Sequence, residues 1–151
     1  MTTLKERIDS ELKDSMRQRN ELKTSVLRML KSAIMYKEVE PGGRPLDDAG
    51  VMNVISTMVK QRRDSAEQYT AAARPELADK ELLEIAILKE YLPQQLGPSE
   101  LASEVAKLVI EAGAKSVKDV GAVMKLATLR LKGRAEGKAI SDEVKGQLSK
   151  L

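Results

Sequence analysis

The run from Val51 to Tyr69 constrains this chain more than any other stretch. Val51, Val54, Ile55, Met58, Val59, Arg62, Ala66 and Tyr69 fall at helical spacing, so one stripe of an α-helix carries them all. A strand, with its period of two, would scatter them over both faces. Elsewhere the same period returns, and no window sustains alternation. Leu4, Ile8, Leu12 and Met16 follow Thr3-Leu-Lys-Glu6, which reads as a capping box. Asn20 can cap a second helix with Leu22, Val26, Met29, Leu30, Ala33 and Ile34 inside. Pro41-Gly-Gly43 breaks it. Asp47 and Asp48 suit the start of the long helix, and Arg74-Pro75 stops it. A fourth helix holds Leu82, Leu83, Ala86, Ile87, Tyr91 and Leu92 and ends before Pro93.

Pro93-Gln-Gln-Leu-Gly-Pro98 reads as a linker. Beyond it, Ser99 opens a helix with Leu101, Val105, Leu108 and Val109 inside, and Gly113 suits its left-handed end. Ser116-Val-Lys-Asp119 is a capping pattern for a helix with Val117, Val120, Val123, Met124, Ala127 and Leu131, which Gly133 ends. Ser141 is expected to cap a last helix with Val144 and Leu148. The expected fold is all-α: about four helices over residues 1–94, then a three-helix unit over 97–151.

An aliphatic core follows from 42% apolar residues with only three tyrosines as aromatics. With no Cys and no His, disulfides, thiolate nucleophiles, imidazole bases and zinc sites of the usual ligands are excluded. No cofactor is expected. The stretch MTTLKERIDSELK lacks an apolar signal core, and no segment approaches membrane-spanning length, so the expected setting is the cytoplasm with no membrane partner.

Charge location carries more than its total. Residues 1–96 hold 16 basic and 16 acidic residues; residues 97–151 hold 10 and 7, the entire excess of +3. Lys125, Arg130, Lys132, Arg134 and Lys138 crowd one segment, Val123–Ile140, against Glu136 alone. The plain reading makes these solvated helix residues, with Arg130 and Lys132 suiting a negative helix end and Gly133 a C-cap. The functional reading makes them phosphate contacts on a loop hinged by Gly133 and Gly137. GRAEGK is not a Walker loop, because its spacing and its lack of Ser or Thr are wrong. No aromatic lies in the basic region, so no base-stacking platform is evident, and recognition through phosphates and shape remains. Arg62, on an apolar stripe, is expected to pair with a carboxylate such as Glu84 or Glu90. The pairs Asp47-Asp48 and Asp142-Glu143 are helix-start residues rather than metal ligands.

Four segments carry a resemblance: LRMLKSAI (27–34), VKQRRDSAEQY (59–69), ILKEYLPQQL (87–96), and GAVMK with KGRAEGKAI (121–140). Over nearly its full length the chain resembles the YqeY-like proteins of the GatB/YqeY group. The last segment is similar to the tail domain of the B subunit of glutamine-dependent aminoacyl-tRNA amidotransferases. The resemblance implies a two-part helical fold and an association with tRNA. It makes Gly121, Lys125, Lys132, Gly133, Arg134 and Lys138 RNA-contacting or loop-shaping candidates, and Arg130, in the same basic segment, is counted with the RNA-binding residues. It also implies grouping with carbon–nitrogen ligases, but the catalytic cradle and the ammonia-releasing amidase subunit are missing. No catalytic residue is expected. Glu136 stands where the group more often has Asp or Asn. Three functions follow as expectations: a non-catalytic tRNA-associated module, a protein-interaction module without RNA, or a subunit acting in trans on an amidotransferase or synthetase. No DNA binding is expected.

Overall fold

The computed structural model describes residues 2–151. Among the described residues the fold is all-α, without strands, as expected. Its helices are α1 (Leu4–Arg17), α2 (Glu21–Val39), α3 (Asp48–Ala71), α4 (Pro75–Lys89), α5 (Pro98–Glu111), α6 (Val120–Leu131) and α7 (Gly137–Leu148). A 3-10 turn, Val117–Asp119, leads into α6. The chain divides into two units, the first ending at Leu92 and the second running Pro93–Leu151.

In the first unit the Thr3 capping box forms, and Asn20 and Asp47 cap α2 and α3. Asp48 does something different: its carboxylate accepts the Leu4 N–H of α1 at 2.9 Å. The core gathers Ile8, Leu27, Leu30, Val51, Ile55 and Leu88. The α4 stripe is corrected. Leu82, Leu83 and Ala86, expected inside, are exposed, while Ala78, Glu84, Ile85 and Leu88 are buried. Glu84 turns inward because Arg62 waits there: Nε lies 3.2 Å from the carboxylate, and both side chains are largely buried. Pro75 serves as the first residue of α4, where its missing N–H costs nothing.

A second, partly exposed network joins α1, α2 and the turn that follows α4. Glu11 accepts from Arg7 Nε (2.7 Å) and from the Tyr91 hydroxyl (2.9 Å), with Lys23 Nζ at 3.4 Å. The Arg7 guanidinium lies over the Tyr91 ring, 4.6 Å from its centre. Burial pushes the Glu11 carboxyl up. The bonds from Arg7 and Tyr91, with the charges of Arg7 and Lys23, outweigh burial and hold it below its usual value. Burial and the bond to Glu11 push the Tyr91 hydroxyl far above its ordinary range. Of the other tyrosines, Tyr69 is half-buried and Tyr36 is exposed.

The second unit packs α5, α6 and α7 around Leu101, Val105, Val123, Ala127, Leu131, Ile140, Val144 and Leu148. Two helix starts move from their expected places. Gly97 caps α5 with Pro98 at its first position, so Ser99 lies inside the helix. α7 begins at Gly137 rather than after Ser141. Starting there places Ile140 one turn before Val144 and buries it.

Candidate nucleic-acid interface

The segment 132–136 joins α6 to α7. Leu131 fills the core, so the chain must leave the helix immediately after it. Gly133 permits this with φ +77°, a left-handed backbone open to glycine at little cost. The Arg134 N–H then donates back to the Leu131 carbonyl at 2.9 Å.

Two hydrogen bonds from a distant segment brace this loop, which the sequence did not indicate. The Gln95 side-chain amide donates to the Gly133 carbonyl (2.6 Å), and the Leu96 N–H donates to the Arg134 carbonyl (2.8 Å). Gln95-Leu96, a linker by its sequence, belongs to this unit and props the loop. Gly137 is no hinge either, being the first residue of α7.

The six candidates fall into different settings. Lys125 and Lys132 are exposed, on α6 and just past its end. Lys138 is exposed in the first turn of α7. Arg134 is half-buried, and Gly133 is buried. Gly133 therefore shapes the loop rather than offering a surface. Arg130 is set apart, because its guanidinium makes a two-pronged pair with Glu111 at the end of α5. Those bonds hold the Glu111 carboxyl below its usual value and push Arg130 up. Among the described residues, Lys125, Lys132, Arg134 and Lys138 form no ion pair. Arg130, by contrast, is engaged.

Gln95 and Glu111 were missed by sequence reasoning. Glu111 gave no signal, since its partner lies 19 residues on and only the packing of α5 on α6 joins them. The one hint for Gln95 was that ILKEYLPQQL and KGRAEGKAI both carried the family resemblance, and they meet here. Among the described residues no group of three acidic residues could hold a metal ion, and no helix is long and apolar enough to cross a membrane.

The chain is similar to fungal proteins named "Altered inheritance of mitochondria protein 41, mitochondrial". That of Lachancea thermotolerans is 31% identical over 106 residues, covering 69% of this chain and 57% of the relative. That of Saccharomyces cerevisiae (strain YJM789) is 33% identical over 94 residues, 62% of this chain and 51% of the relative. That of Vanderwaltozyma polyspora is 26% identical over 143 residues, 91% and 77% of the two chains. The chain thus spans about half the length of the first two relatives. Residues 5–148 match the family described as Yqey-like protein, which takes in every helix considered above except the first residue of α1, and the chain belongs to that family.

Proposed function

We propose that the C-terminal unit binds RNA through its phosphates, with tRNA as the RNA class, as a non-catalytic accessory to tRNA-dependent amidotransfer. One observation carries this reading: among the described residues Lys125, Lys132, Arg134 and Lys138 form no ion pair, and they stand along the middle of α6, on the braced loop after it and in the first turn of α7. Bracing matters because a cation held in place loses less freedom on binding than one on a mobile loop. The helix start at Gly137 adds the partial positive charge of its free N–H groups to the same segment. The absence of aromatic residues there favours contact with phosphate and shape over base stacking. The compartment proposed is the cytoplasm; cell fractionation tests it against the mitochondrial designation of the fungal relatives.

The test is a titration with unfractionated tRNA at several salt concentrations, comparing wild type with Lys132→Ala/Arg134→Ala/Lys138→Ala. Wild type binds, and the triple variant binds more weakly. Each lost phosphate contact flattens the slope of log affinity against log salt by roughly 0.7–0.9. Equal binding by both proteins, or none by either, defeats the proposal.

A further inference from the structure

Resting on that phosphate-binding reading, we infer that α6 itself lies along the RNA backbone, with Lys118, Lys125 and Lys132 as a row of contacts and Gly121 as the point of closest approach. Gly121, Lys125 and Leu129 of α6 are exposed and follow one another at four-residue steps, so they share one face; exposed Lys118, in the 3-10 turn that leads into α6, and exposed Lys132, just past its end, stand before and after them. The opposite face holds the buried Val123, Ala127 and Leu131. At a rise of about 1.5 Å per residue, successive lysines of the row stand roughly 10 Å apart. No carboxylate pairs with any of the three among the described residues. The row is thus an uncompensated line of positive charge, which complements a polyanion running parallel to the helix.

Gly121 is the second residue of α6, in ordinary helical backbone, and a Cβ built there meets nothing within 4 Å. Packing inside the chain therefore does not require glycine. Glycine in a helix lowers its stability relative to alanine. A bare backbone between two lysines instead lets a sugar–phosphate chain come close to the helix. Leu129, 71% exposed between Lys125 and Lys132, offers an apolar contact to a sugar or base face. Gly146 of α7 has the same open surroundings and is exposed, but lies outside this row, which makes it the control.

The experiment compares wild type, Gly121→Ala, Gly146→Ala and Lys118→Ala/Lys125→Ala in full-length protein. It uses thermal melts and labelled unfractionated tRNA at several salt concentrations. Both glycine variants should melt about 2–4 °C higher. Gly121→Ala should nevertheless bind roughly fivefold more weakly, while Gly146→Ala binds as wild type does; the lysine pair should flatten the salt slope by roughly 1.4–1.8. A more stable protein that binds less well cannot be explained by misfolding. If wild type binds and the triple loop variant weakens, but Gly121→Ala and the lysine pair bind normally, α6 is not the contact and the proposed function survives. If wild type does not bind tRNA, the function falls and this inference with it. Binding of the row to anionic phosphatidylserine vesicles in place of tRNA would reassign it to a membrane surface.

Discussion

At the scale of single residues, Arg62 and Glu84 show how one charge redirects a helix face. Arg62 sits on the apolar stripe of α3 with its side chain 12% exposed, and Glu84 is 8% exposed. Removing one partner leaves the other charged and buried, which typically costs about 3–5 kcal/mol, whereas replacing both by apolar residues is often neutral. We expect Glu84→Ala to lower stability by that order, and Arg62→Met/Glu84→Leu to restore most of it; urea unfolding checks both. A Glu84→Ala variant as stable as wild type would mean that water reaches the pair. The pairing was legible in the sequence, because a lone Arg on an apolar stripe calls for a carboxylate. The outward turn of Leu82 and Leu83 was not, because α4 has enough apolar residues to fill more than one stripe, and only the position of Arg62 selects between them.

At the scale of elements, the helix ends repay attention. α3 ends with Ala73 at φ +58°, its neighbour Arg74 donating to the Tyr69 carbonyl at 2.8 Å. α5 ends the same way with Gly113 at φ +66°. The left-handed conformation costs a residue with a Cβ about 1–2 kcal/mol, and glycine escapes it. Ala73→Gly should therefore raise stability by about 1 kcal/mol, read as a higher melting temperature with an unchanged circular dichroism spectrum. Gly113 was legible as a helix end because glycine is the expected residue there. Ala73 was not, since nothing in Ala-Ala-Ala-Arg marks which alanine turns left-handed. The α7 start was misplaced for a related reason. Ser141 is a good cap, but burial of Ile140 outweighed capping and pulled the helix a turn earlier.

At the scale of the whole molecule, charge balance and charge burial separate the two units. The first is neutral in sum, and several of its carboxylates, Glu11, Glu38, Asp48 and Glu84 among them, are used internally. Glu11 is the clearest case, tying α1 to α2 and to the end of α4. Its folded-state pKa lies below the ordinary 4.5, so its contribution is complete above that pH and disappears as pH falls through the depressed folded value. Glu11→Gln should lower the melting temperature at neutral pH, and the difference from wild type should shrink as melts are taken below pH about 4.5. A difference that stays constant with pH would show that packing, not ionisation, carries the effect. The second unit holds the whole excess positive charge, and among the described residues its cations on α6 and the following loop form no ion pair apart from Arg130.

Helix number, helix order and the aliphatic core were determined by the sequence alone, because a 3.6-residue period and Pro or Gly punctuation are local properties. So was the basic character of Lys125 to Lys138, since charge needs only counting. Which cations are available was decided by tertiary structure. Arg130 is engaged because α5 brings Glu111 beside it. The loop is braced because Gln95 and Leu96, more than 35 residues earlier, supply donors for the Gly133 and Arg134 carbonyls. Those are contacts between distant segments, and periodicity along one helix holds no information about what packs against it.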